Sequence, residues 1–232
     1  YWLYTPSDTT EQMPLIVYLH SASGKGDNLN QLLTTDGFPK YLSEGLLGDL
    51  RAYVLIPQLP TSQRGWVNVG SSVIELIDKT INEYSIDKNN ISMTGHSVGG
   101  TGTWNIAIAY PEKFNRIAPL SGSVRASADS ISALKHISVR AFVGSEDTII
   151  DPVMSQRMVD ALKTSGSDAE ITVFDSAAHE DVPELTYCDQ SIDIVSWLLG
   201  SSASNGTGVS NESNDSGNDG MNMYSNSDFI EK

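Results

Sequence analysis

The chain has 232 residues, 39% of them hydrophobic, enough for one large or two small domains around a buried core. Its 29 acidic against 14 basic residues leave a formal net charge of −15, which argues against nucleic acid or an anionic membrane as main partner. No run reaches the length of a membrane-spanning helix, and the one cysteine, Cys188, excludes an intrachain disulfide.

Residues 1–5 alternate like a strand, and residues 15–19 (Leu-Ile-Val-Tyr-Leu) form a continuous apolar run typical of a strand buried on both faces. A small-residue stretch from His20 to Gly26 follows, then a weaker helical pattern over 28–47. Residues 52–56 read as another buried strand, ended by Pro57, and a loop over 58–68 carries Arg64 and Trp66. Val73, Ile74, Ile77, Ile81 and Tyr84 recur at helical spacing, so 69–84 is an expected helix. A strand over 91–94 leads into Gly95-His96-Ser97-Val98-Gly99 and a second helical run. Strands are expected at 117–120, 139–143 and 171–174, an amphipathic helix at 152–163, and a closing helix at 192–199. Strands alternating with helices predict an α/β fold, a mostly parallel sheet covered on both faces. The first strand is expected to pair antiparallel with the second, because only a short loop joins them. From residue 201 the composition turns to Ser, Asn, Gly and Asp. The expected organisation is therefore one folded α/β domain over 1–200 and a flexible linker or disordered tail over 201–232, free to connect to another module.

Gly-x-Ser-x-Gly between a strand and a helix is the pattern that puts a serine on a tight turn, its hydroxyl lifted clear of the sheet. Glycine two residues either side lets strand and helix approach closely. The turn also places the Val98 N–H at a helix start, where it can face an oxyanion. In an open parallel sheet the working residues lie beyond the carboxyl ends of the strands, here the loops after residues 19, 94, 143 and 174. A serine needs a neighbouring imidazole to take its proton, and on this kind of sheet the chain order is Ser, acid, His. His20 and His96 precede the serine, and His136 lies before a strand, at the wrong end; His179 is the expected base. The loop after residue 143 offers Asp147 and Asp151. Asp151 precedes a proline that opens a helix and has a capping role, so Asp147 is preferred. A backbone N–H of Ser21 or Ala22 is expected to complete the oxyanion site with Val98.

Residues 14–20, 84–87, 93–104, 110–114 and 144–147 stand in an order that resembles the α/β-hydrolases of the feruloyl-esterase and polyhydroxybutyrate-depolymerase branch. The resemblance covers residues 1–200. It implies a secreted serine esterase without metal or cofactor, with Ser97 as nucleophile, Asp147 as acid and His179 as base. Where that branch has His-Gly this chain has His20-Ser21. His96 and Val98 replace its commoner neighbours of the serine.

The stretch between the strands at 117–120 and 139–143 is too short for a large cap domain, so an open site is expected, suited to an ester on a bulky carrier such as plant polysaccharide. Trp66, His96 and Tyr187 are expected to line it. Alternative readings are a polyester (hydroxyalkanoate) depolymerase, a serine peptidase on the same fold, or a non-catalytic binding module.

Overall fold

In the computed structural model, which describes residues 1–7, 9–35, 37–200 and 228–232, eight strands form one sheet. In chain order they are β1 (Trp2–Tyr4), β2 (Met13–Leu19), β3 (Tyr53–Ile56), β4 (Ile86–His96), β5 (Arg116–Leu120), β6 (Ser138–Gly144), β7 (Ala169–Phe174) and β8 (Phe229–Glu231). They lie side by side as β7-β6-β5-β4-β2-β3-β1-β8, with all pairings from β3 to β7 parallel. Apolar runs such as Leu15 to Leu19 are fully buried because helices cover both sides of these strands.

The helices are α1 (Leu32–Thr35), α2 (Gly37–Ser43), α3 (Gly70–Glu83), α4 (Val98–Ala109), α5 (Ala128–Ala133), α6 (Val153–Thr164), α7 (Val182–Tyr187) and α8 (Ile194–Leu198). One core cluster takes Ile77, Trp104 and Leu162 from α3, α4 and α6; the other takes Leu42, Val182 and Leu198 from α2, α7 and α8. After β3 the chain crosses over β2 to start β4, so winding reverses between β2 and β4. At such a reversal the following loops part and leave a crevice.

Three expectations change. The first strand pairs antiparallel with β3 rather than with β2. The helix expected over 28–47 is broken into a single turn at Leu29–Gln31, α1 and α2. The tail does not run as a linker to its end: Phe229–Glu231 returns to the sheet as β8 and pairs antiparallel with β1. Phe229 is buried there, its ring edge-on to Trp2 and Tyr4 at 6.2 and 5.5 Å. Lys232 N–H donates to the Tyr1 carbonyl at 3.0 Å. Aromatic residues two apart on one strand make a notch that a third ring fills, which gives an otherwise polar tail a docking point. The expected linker over 201–227 lies outside the described residues.

Among the described residues no helix is long and apolar enough to cross a membrane. Between β5 and β6 the only helix is the six-residue α5, opened by a capping box in which Ser127 and Ser130 satisfy each other's backbone N–H. No cap domain is inserted there.

Candidate active site

Ser97 sits between β4 and α4 with φ 60° and ψ −117°. For a residue with a Cβ this conformation costs about 1–3 kcal/mol, and it persists only where the surroundings fix it. They do so here: Ser97 N–H donates to the Leu120 carbonyl at 3.0 Å, and its own carbonyl accepts from Thr101 N–H at 2.9 Å. Gly99 makes the turn possible, since a Cβ there would run into the Leu19 carbonyl of β2. The Ser97 side chain makes no capping bond to α4, leaving the first-turn N–H groups, Val98 included, at an anion-favouring helix end.

His179 and Asp147 come from the loops after β7 and β6. His179 Nδ1 lies 2.7 Å from Asp147 Oδ2, both side chains almost wholly buried. Asp147 Oδ1 accepts from the N–H groups of Ile149 and Ile150, both at 2.9 Å. Burial alone would raise the Asp147 carboxyl. The Ile150 N–H, the His179 imidazole and the Ile149 N–H together outweigh it and hold the group below its usual range. An ionised carboxylate can only accept, so His179 donates from Nδ1, and the neutral ring keeps a lone pair on Nε2. Asp151, by contrast, is exposed and accepts the Val153 N–H at 3.0 Å at the start of α6.

The His179 ring also packs against the ring of His96, the residue preceding Ser97, with centroids 4.5 Å apart. Ser97, Asp147 and His179 thus follow the carboxyl ends of β4, β6 and β7, on one rim of the sheet.

The loop after β2 holds Ser21 and Ala22, the latter opening a short turn over Ala22–Gly24. Its anchor is His20, which the order of residues had set aside. Leu59 N–H donates to His20 Nε2 at 2.8 Å, so the ring's proton is on Nδ1, 2.6 Å from the Ser21 carbonyl it donates to. Trp66 Nε1–H donates to the His20 carbonyl at 3.0 Å. A histidine directly after a fully buried strand was the available sign of this role.

Trp66, His96 and Tyr187 do not line an open site. Trp66 is 2% exposed and fits against Gly102, which leaves it room. Tyr187 is buried beneath the sheet, its hydroxyl 2.7 Å from Thr94 Oγ1. His96 is 3% exposed, with Nε2 3.0 Å from the His179 carbonyl. Each polar tip has a protein partner, and each ring fills space between elements. Among the described residues no cluster of His, Cys, Asp and Glu has the makings of a metal site.

Sheet order, elbow and loop placement define an α/β-hydrolase. Residues 53–195 match the phospholipase/carboxylesterase family, and the chain belongs to it. No curated protein matches the chain. Among solved structures it is similar to a thermostable esterase, at 24% identity and TM-score 0.69 over 86% of this chain and 58% of that one. The chain thus spans under two thirds of that relative's length. It is also similar to a feruloyl esterase module from Clostridium thermocellum complexed with sinapinate, at 17% identity and TM-score 0.58 over 76% of each. A Pyrococcus horikoshii acylaminoacyl peptidase shares the fold at 15% identity and TM-score 0.61, over 90% of this chain but 40% of its own.

Proposed function

We propose that the protein is a serine esterase in which Ser97 is the nucleophile, His179 the general base and Asp147 the acid that orients it. The observation that carries this reading is the buried 2.7 Å contact between Asp147 and His179, on a ring packed beside the residue preceding Ser97. Ser97 Oγ attacks the ester carbonyl as its proton passes to His179 Nε2. Val98 N–H, with that of Ser21 or Ala22, holds the oxyanion. The imidazolium then protonates the departing alcohol, and water, activated by the same base, releases the acid from the acyl-enzyme. Asp147 stays ionised throughout and stabilises the imidazolium.

For substrate we propose acyl or feruloyl esters carried on plant polysaccharide, met outside the cell. In support, only α5 intervenes between β5 and β6, so among the described residues no cap is inserted there to exclude a polymer. The fold shared with a feruloyl esterase module agrees with this. Residues 1–200 with the returning strand 228–232 form the catalytic domain in this reading, and 201–227 its connecting segment.

Acetyl, feruloyl and short hydroxyalkanoate esters, together with an aminoacyl anilide, should be compared on wild type and Ser97→Ala. The expected result is preference for acetyl or feruloyl esters and a fall of about 10³–10⁶-fold in the variant. A variant near wild-type rate would remove the nucleophile, and preference for the hydroxyalkanoate or the anilide would replace the substrate.

A further inference from the structure

We infer that His96 and Tyr187 are positioning residues, which seat the segment carrying His179 on the strand that carries Ser97. The inference rests on the nucleophile–base reading above and concerns how the two groups are kept in register.

β4 ends in Thr94-Gly95-His96, directly before Ser97. Alternation along a strand sends residues 94 and 96 to one face and Gly95 to the other. The first face is the one that the His179 turn and α7 cover. Two buried bonds join them, and the direction of each is fixed. The His179 carbonyl can only accept, so His96 carries its proton on Nε2 and donates it over 3.0 Å. The Thr94 hydroxyl donates its single proton to the Ala118 carbonyl at 2.6 Å. In the 2.7 Å contact with Tyr187 the phenol is therefore the donor.

The two bonds lie at opposite ends of the stretch from His179 to Tyr187. Asp147 holds the His179 side chain from the loop after β6, whereas His96 holds its backbone from β4. Only the second tie refers the base to the strand bearing the nucleophile. The edge of the His96 ring supplies the donor and its face, 4.5 Å from the His179 ring, limits sideways drift. Without the donor, the His179 carbonyl loses that partner in the interior. The segment is then free to shift while the contact with Asp147 persists. Catalysis is sensitive to such a shift, because near-attack geometry tolerates little displacement of the base.

The test compares wild type with His96→Phe, His96→Asn, His96→Gln and Tyr187→Phe, each also in a His179→Ala background. Para-nitrophenyl acetate is the substrate, and thermal melting reports folding. Glutamine brings an N–H close to the place of Nε2; asparagine reaches only to that of Nδ1, and phenylalanine keeps the ring without a donor. His96→Phe and His96→Asn should lower kcat by about 10²-fold with KM within about twofold of wild type. His96→Gln should stay within about fivefold, and Tyr187→Phe should lose about three- to tenfold. In the His179→Ala background none should lower the residual rate further, since all act through the base. If His96→Phe melts below the assay temperature, His96→Asn against His96→Gln decides. Equal rates for those two, or equal losses with and without His179, would overturn the inference. Near-normal turnover by Ser97→Ala or His179→Ala would instead remove the reading beneath it, whatever the His96 variants do.

Discussion

Asp147→Asn exchanges one oxygen for an NH2 at the most constrained point of the site. In the wild type, Oδ1 accepts from the N–H groups of Ile149 and Ile150, and Oδ2 from His179 Nδ1. The amide can be placed in two ways. With its NH2 toward the backbone, two donors face a donor, and two hydrogen bonds are lost at about 1–3 kcal/mol each. With its oxygen there, both bonds survive and the NH2 faces His179 Nδ1. That placement loses nothing further if the imidazole moves its proton from Nδ1 to Nε2. It is favoured, therefore, and the ring then presents an N–H to Ser97 instead of a lone pair. Geometry is kept while the base is switched off, so kcat should fall by about 10⁴-fold with KM little changed. Initial rates on para-nitrophenyl acetate measure this, with circular dichroism to show that the variant is folded. A folded Asp147→Asn enzyme within about tenfold of wild-type kcat would refute the assigned roles of Asp147 and His179.

The same carboxylate gives a pH prediction. Its folded pKa is depressed, so it stabilises the fold above its unfolded value of about 3.9 and loses that contribution as pH falls through the folded value. Urea unfolding at neutral and acid pH should show wild type losing stability more steeply than Asp147→Asn, and parallel curves would contradict the linkage. Phe229→Ala removes a buried ring at the sheet edge and should cost about 3 kcal/mol, at the low end for such truncations. For a domain of this size that is a fall of about 6–12 °C in Tm, with kcat unchanged because β8 is remote from β4. An unaltered melting curve would show that the terminal strand does not dock. Trp66→Phe deletes the donor to the His20 carbonyl and should cost about 1–3 kcal/mol of stability with KM unaffected. A raised KM with full stability would return Trp66 to the substrate.

The placement of Ser97, Asp147 and His179 on one rim was legible because parallel strands end on a common edge, so position after a strand reveals which loops meet. The elbow was legible for a local reason: glycine on either side of a serine has little use other than close approach of strand and helix. The discrimination between Asp147 and Asp151 came from helix capping, which depends on sequence neighbours alone. Register and long returns were not legible. Whether β1 pairs with β2 or β3 depends on which edge is left open after the parallel strands assemble. The docking of Phe229 depends on a notch more than 220 residues away in sequence, made by Trp2 and Tyr4.

Trp66, His96 and Tyr187 were misread for a related reason: the sequence shows which residues are near the rim, but not which neighbour claims each side chain. For His96 and Tyr187 the deciding fact is which face of β4 the His179 turn and α7 cover, a property of the assembled layers. For Trp66 a trace did exist. Helix α4 opens Val98-Gly99-Gly100-Thr101-Gly102, and each glycine inside a helix costs about 1 kcal/mol relative to alanine. Three so close together are tolerated only if something approaches each of them. Gly99 admits the Leu19 carbonyl, and a Cβ on Gly102 would lie 2.6 Å from the Trp66 Cβ. Of the two glycines outside the Gly-x-Ser-x-Gly pattern, Gly100 admits the Leu120 carbonyl, and Gly102 is the imprint of the tryptophan. An unexplained glycine in a helix and an unplaced aromatic in a loop are better read together than apart.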